Sequence, residues 1–172
     1  IFPVYSNATV NIRNYVRDGA KFGAIGMLNT TWDDDGENLF VWNFYGTNWG
    51  GACAWRPEDA DLEAFDAAYS QVSYGTPDDK VTRAINLLAS CSANPLTHGN
   101  SNGAFYVKPF GALATSFDLV MEQAADLCDR TERALDLLAQ AKGQVRLDST
   151  DLDTIAFAAR RLHFIGRARE LQ

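Results

Sequence analysis

The sequence predicts a mainly α-helical chain with one strand, near residues 24–31, buried on both faces. Three observations lead there. After Pro57, apolar residues recur at the three-to-four-residue spacing of amphipathic helices. One short run, Ala24-Ile25-Gly26-Met27-Leu28-Asn29-Thr30-Thr31, carries no charge and reads as a strand covered on both sides, as in a parallel sheet. The chain has 172 residues, 47% apolar and 22% charged, enough for a sizeable core and too apolar for disorder.

The first helix is expected from a cap at Ser6 or Asn7 to about Phe22, through Val10, Tyr15 and Val16, with Gly19 and Gly23 punctuating its end. The strand follows, and Trp32-Asp33-Asp34-Asp35-Gly36-Glu37-Asn38 then turns abruptly polar and acidic, as a loop at the strand's carboxyl end. From Leu39 to Trp55 the chain is dense in aromatics, and Gly46, Gly50 and Gly51 suit a buried helix that approaches its neighbours closely. Leu62, Phe65, Tyr69 and Val72 make the stripe of the next helix, closed by Gly75-Thr76-Pro77. Asp78 or Asp79 opens another, with Val81, Ile85, Leu88 and Cys91 inward, broken at Asn94-Pro95. Residues 96–111 read as a loop. A long helix is expected from Ser116 to Lys142 with Met121, Ala125, Cys128, Leu135 and Leu138 inward, and Asp126–Arg130 and Asp129–Arg133 as outward i,i+4 pairs. Ser149 caps a last helix striped by Leu152, Ile155, Ala159, Leu162 and Gly166. There is no internal repeat. Two regions result: 1–57, helix, strand, acidic loop and aromatic helix, and 58–172, a helical bundle.

Charge excludes one class of partner. Fifteen basic residues against twenty-two acidic ones give a net charge of −7, so nucleic acid is not expected. No apolar run approaches the roughly 20 residues of a membrane span. Cys53, Cys91 and Cys128 show neither a CxxC nor a metal-ligand spacing and read as buried thiols. No glycine-rich phosphate loop, GxSxG or HExxH motif occurs, so neither a cofactor nor a metal is expected. An EF-hand aligned with Gly36 at position six puts Thr31 at one and Trp42 at twelve, neither of them a calcium ligand of the required type. His163 sits between Leu162 and Phe164 and reads as structural, and Arg160, Arg161, Arg167 and Arg169 as the wet face of a helix. The sequons at Asn7 and Asn29 identify no compartment. The opening Ile1-Phe2-Pro3-Val4-Tyr5, without an initiator Met, reads as a chain entered in mid-structure.

The acidic cluster beside Trp32 is the feature with chemistry in it. Asp35 or Asn38 could cap the following helix, with the acids facing its dipole. Alternatively, Trp32 and the acids stand where α/β folds bind ligands, at the carboxyl end of a strand. A Trp face stacks on the apolar face of a sugar, while carboxylates accept its hydroxyl hydrogens.

The stretch from Phe22 to Pro57 resembles the last strand–helix unit of the family 20 glycoside hydrolases, the β-N-acetylhexosaminidases. Lys21-Phe22-Gly23-Ala24-Ile25-Gly26-Met27-Leu28 leads into Trp32-Asp33-Asp34, like that family's Trp-x-Glu, and Gly51-Ala52-Cys53-Ala54-Trp55 stands where its Ala-Glu-x-x-Trp helix follows. The resemblance implies the C-terminal fragment of a (β/α)8 barrel, residues 1–57, followed by a helical bundle, residues 58–172. It implies that Trp32 stacks on an N-acetylhexosamine ring and that Asp34, one methylene shorter than the family's Glu, binds outer hydroxyls. Ala52 stands where the family has Glu. The family's chemistry, in which the substrate's acetamido oxygen attacks the anomeric carbon while a Glu protonates the leaving group, uses an Asp-Glu pair from the fourth strand. No such pair in its His-x-Gly-Gly-Asp-Glu-like setting occurs here, so the resemblance implies no catalytic residue in this chain and no activity for the chain alone. The implied partners are an N-acetylhexosamine-containing glycan and either a preceding portion of the same protein or a second copy. The alternative is a non-catalytic, mainly helical interaction or carbohydrate-binding module.

Overall fold

The computed structural model describes residues 2–32, 38–97, 101–106 and 117–171, and none of them lies in a strand. The order is α1 (Tyr5–Lys21), a 3-10 turn (Phe40–Asn43), α2 (Phe44–Trp55), α3 (Leu62–Tyr74), α4 (Lys80–Ser90), a 3-10 turn (Cys91–Ala93), short α5 (Ser101–Phe105), α6 (Phe117–Lys142) and α7 (Ser149–Glu170). The mainly helical expectation holds. The expected strand does not form: Ile25 and Leu28 are exposed, and residues 25–31 make no main-chain hydrogen bond to another described residue. A strand needs neighbours about 4.8 Å away along its edges, and the rest of the described chain forms helices joined by turns and irregular stretches.

Helices α6 and α7 form an antiparallel pair at the centre. Lys142 pairs with Asp153, Thr131 meets His163, and Gly166 faces Cys128, so one helix climbs as the other descends. The α7 stripe of Leu152, Ile155, Ala159, Leu162 and Gly166 is buried as its spacing predicts. Its cap differs: Ser149 is the first helical residue, and the preceding Asp148 has φ 41° and makes no capping bond. On α6 the buried line is Val120, Ala124, Leu127, Cys128, Ala134, Leu138 and Ala141, with Thr131 at its middle. Of the expected inward residues Cys128 and Leu138 are buried, Met121 and Leu135 are half-buried and Ala125 is exposed. The outward pairs Asp126–Arg130, at 2.8 Å, and Asp129–Arg133, at 3.2 Å, form as expected.

Helix α4 packs on α6 with Val81, Ile85, Leu88 and Cys91 inward. Where α4 ends, buried Asn94 donates to the Gln123 carbonyl and to Asp126, and accepts from the Leu96 N–H, which ties the chain's turn to α6. Helix α3 starts at Asp61, whose carboxylate accepts from the N–H groups of Glu63 and Ala64, and ends at Gly75 in the left-handed region with φ 66°. Its stripe runs Phe65, Tyr69 and Tyr74, whereas Val72 is exposed. Ser70 and Thr82 join α3 to α4 in the interior, hydroxyl to hydroxyl at 2.7 Å.

The first two helices close against this bundle. Helix α1 begins at Tyr5, two or three residues earlier than expected and without a side-chain cap, and buries Tyr5, Thr9 and Val16 while Val10 and Tyr15 stay exposed. Positions 5, 9 and 16 share one face of a 3.6-residue helix, and positions 10 and 15 fall off it. On α2, Tyr45, Gly46, Trp49, Gly50 and Cys53 face inward. The two large indoles find partners far along the chain: Trp49 Nε1 donates to the Thr9 carbonyl, and Trp42 Nε1 to the Thr154 carbonyl on α7, each at 2.9 Å. Tyr45 donates its hydroxyl to Asp66 on α3. Burial and the neighbouring Asp66 carboxylate push that phenol far above its usual pKa. One apolar core therefore runs across residue 57, joining Tyr5, Trp42 and Tyr45 to Tyr69, Leu88 and Leu162.

Candidate sugar-binding site

The segment that carries Trp32 is set by its two ends. Helix α1 closes in a Schellman motif: Gly23, with φ 81°, donates to the Ala20 carbonyl, and Ala24 donates to the Gly19 carbonyl. Glycine adopts that left-handed conformation without the Cβ penalty. The chain leaves the motif without regular secondary structure and lies along α2. Met27 and Asn29 turn toward that helix, and Asn29 Nδ2 donates to the Gly46 carbonyl at 3.1 Å. The bare Cα of Gly50 makes the approach possible, because a Cβ there would stand 2.6 Å from Asn29 Nδ2 and 3.3 Å from the Met27 methyl. Gly46 does the same for the Tyr5 ring, 2.9 Å from the corresponding Cβ position. Gly51 faces open space, so two of the three glycines expected to permit close approach do so.

On the outer side, Ile25, Leu28 and Trp32 are exposed, Trp32 to 83%. The segment thus has one face on α2, an apolar face bare, and both hydrogen-bonding edges without a partner among the described residues. Two hollows flank it. An apolar one of about 400 Å3 lies toward α1, lined by Tyr15, Phe22, Ile25, Met27 and Pro57. A second, of about 270 Å3, lies at the carboxyl end, between the starts of α1 and α2. Trp32, Asn29, Asn38, Asn43 and Thr47 line it, with Phe2 and Pro3.

Trp32 therefore stands exposed at the lip of a groove, in keeping with a stacking role. Asp34 lies outside the described residues, as do Asp33, Asp35, Gly36, Glu37 and His98. Neither the 3-10 turn nor α2 has a side-chain cap, so Asn38 caps neither helix. From sequence Asn29 stood out only as a sequon and Asn38 only as a cap candidate, and Asn43 not at all; their clustering on both sides of the Trp-plus-acid stretch was the available signal.

The remaining candidates resolve as structural. His163 Nδ1 meets the Thr131 hydroxyl at 3.2 Å and Nε2 lies 3.9 Å from Glu132. All three cysteines are buried and unpaired. Burial pushes Cys53 and Cys128 up to about 11 and Cys91 up to about 12, which keeps them as thiols rather than nucleophilic thiolates at neutral pH. Of the four arginines on α7, Arg161 lies over the Phe105 ring at 4.7 Å and Arg167 pairs with Glu170. No group of three or more His, Cys, Asp or Glu side chains able to hold a metal occurs among the described residues, and none of their helices is long and apolar enough to cross a membrane. No family model, curated protein or solved structure matches the chain.

Proposed function

We propose that this chain is the C-terminal part of a glycoside hydrolase acting on terminal N-acetylhexosamine residues. In this reading it supplies Trp32 and Asp34 to the sugar subsite, and the catalytic acid pair comes from elsewhere. The observation that carries the reading is the segment from Ala24 to Trp32: it passes along α2 with Met27 and Asn29 against that helix, leaves Ile25 and Leu28 exposed, makes no main-chain bond to another described residue from 25 to 31, and ends in an exposed Trp. A helix-backed strand of a (β/α)8 barrel has this surface when the strands beside it are taken away. An isolated segment exposing Ile25 and Leu28 gains nothing from burial, whereas neighbouring strands would cover these two side chains and bond the free N–H and C=O groups.

The partners follow from that geometry: strands from a preceding portion of the same polypeptide, or a second copy pairing through the same edges, and an N-acetylhexosamine-containing glycan on the indole face of Trp32. Such a subsite binds and orients the ring so that the substrate's own acetamide can attack. The proton for the leaving group comes from a carboxylic acid on another strand.

The experiment extends the reading frame upstream of Ile1. The proposal expects several hundred residues of alternating strand and helix containing an adjacent Asp-Glu pair. The longer protein hydrolyses an aryl N-acetylglucosaminide, and Trp32→Ala lowers kcat/KM by about 10²-fold or more, a loss of about 2.7 kcal/mol of transition-state stabilisation. A start codon just upstream of Ile1, or a longer protein indifferent to Trp32→Ala, overturns it and leaves the helical carbohydrate-binding or interaction module.

A further inference from the structure

We propose that Trp42 is a positioning residue for the site at Trp32. It pins the chain that returns from Trp32 onto α7, so the C-terminal helices belong to the frame that holds the stacking wall in place. That the wall receives a sugar rests on the function proposed above; the anchorage of Trp42 does not.

The stretch that carries the site is held at two described ends. Upstream of Trp32, the Asn29 amide donates to the Gly46 carbonyl on α2. Downstream, the chain is described again from Asn38 and enters the 3-10 turn Phe40–Asn43, where the Trp42 N–H donates to the Leu39 carbonyl at 2.9 Å. Trp42 is buried and meets two distant helices at once. Its indole Nε1 donates to the Thr154 carbonyl on α7, and its own carbonyl accepts from the Tyr5 hydroxyl on α1. The Phe2 ring packs on the indole with centroids 6.2 Å apart. Phe2 and Asn43, the ring against Trp42 and the residue after it, line the same hollow as Trp32 and Asn38. The anchor therefore stands one contact away from the wall it would position.

The bond to α7 suits that task. Thr154 lies inside a helix that runs Ser149–Glu170, so its carbonyl sits where the helix puts it and has a second lone pair free for the indole. A buried indole N–H without a partner is costly, which fixes the ring in the one orientation that reaches this acceptor. Trp49 makes the same kind of bond at the same 2.9 Å, but to the Thr9 carbonyl, so it joins α1 to α2 and does not reach α7. A binding site has to be held within about 0.5 Å by residues locked through their own packing and hydrogen bonds. Trp42 meets that description, and the core that runs across residue 57 makes the bundle and the site segment one body.

The test uses the full chain with spin labels at Leu39→Cys and Arg160→Cys, two exposed positions, the native cysteines being buried. Pulsed EPR should give a narrow distance distribution, and a broader or displaced one once Trp42→Phe removes the indole N–H while keeping an aromatic ring. Ile165→Val is the control: a buried position on the same helix, about 16 Å beyond Thr154. It should leave the distribution as it was. In the upstream-extended protein, Trp42→Phe should raise KM for the aryl N-acetylglucosaminide and lower kcat/KM by about tenfold or more, with Ile165→Val at the parent's value. An unchanged distribution in Trp42→Phe, the same broadening in Ile165→Val, or an active extended protein indifferent to Trp42→Phe overturns the assignment. An extended protein without activity on that substrate sinks the hydrolase reading instead, and the label distance then decides by itself whether Trp42 places the chain beside Trp32.

Discussion

Gly166→Ala sets two effects of similar size against each other. Gly166 lies inside α7, where alanine favours the helix by about 1 kcal/mol. Packing opposes it: the new Cβ would stand 2.6 Å from Cys128 Sγ and 3.0 Å from the Ala124 carbonyl oxygen on α6. Ordinary contacts lie near 3.5–4.0 Å, and a carbonyl in the middle of a helix cannot swing aside as a side-chain end can. Relief requires α6 and α7 to part by about 0.5–1 Å, which forfeits roughly a quarter to a half of each dispersion contact along their seam. Leu127, Ile155 and Leu162 all lie in that seam's core. Overpacking of this kind costs about 1–3 kcal/mol. With the propensity gain subtracted, the substitution should lower stability by up to about 2 kcal/mol, or Tm by up to about 8 °C for a domain this size. Urea unfolding followed by circular dichroism measures it. Adding Cys128→Ala removes the nearer obstacle and should recover part of the loss, a favourable coupling in the double-mutant cycle. If Gly166→Ala proves stabilising by its full helix propensity, α6 and α7 do not meet as closely as described.

The same substitution at Gly50 should turn out differently, because its obstacles are the ends of the Asn29 and Met27 side chains. Stability should stay within about 1 kcal/mol, since lost contact and gained propensity offset each other, while the Trp32 indole resonance shifts as the segment is pushed off α2; an unmoved Trp32 contradicts the anchor. Asn94→Ala should cost about 1–2 kcal/mol, because it removes three side-chain hydrogen bonds at the α4–α6 junction and leaves the half-buried Leu96 N–H without that acceptor. Burial raises the Asp126 carboxyl, but hydrogen bonds from Arg130 and Asn94 outweigh it and hold the group below the usual carboxylate range. That contribution is fully present above the unfolded-state pKa of about 4 and is lost as pH falls through the lower folded value. The acid limb of stability against pH should therefore be shallower in Asn94→Ala. Finally, a thiol reagent should find no reactive cysteine in the native chain and three after unfolding, and rapid native labelling would contradict their burial.

Sequence pattern was a good guide where one helix face meets one neighbour. On α4 and α7 the stripes were legible because each presents a single apolar line to the core. On α6 the expected line held at Cys128 and Leu138 and missed Thr131 between them, which is fully buried with its hydroxyl bonded to the Leu127 carbonyl. A polar residue satisfied by its own helix interrupts the apolar pattern without interrupting the packing. The burial of Trp42 and Trp49 was legible, but not their partners, since the Trp42 indole reaches a carbonyl 112 residues away. The segment from Ala24 to Thr31 shows the opposite limit. Its apolar, charge-free composition states what it would bury if covered, and composition cannot say whether the cover is in the same chain. The same holds for the site: Trp32 stood out by type and position, while the groove beside it is assembled from α1, α2 and the segment between them.

Amide hydrogen exchange of residues 25–32 tests the central claim most directly, in this chain and in the protein extended upstream. In this chain the residues make no main-chain bonds to other described residues, so their amides should exchange close to the unfolded-chain rate while those of α6 and α7 are protected. In the extended protein the same amides should become protected by about 10³-fold or more, an opening free energy of about 4 kcal/mol, because strands on either side now hold them. Fast exchange of residues 25–32 in both proteins would contradict the account, since a segment still bare beside its full complement of neighbours is not a strand of a barrel.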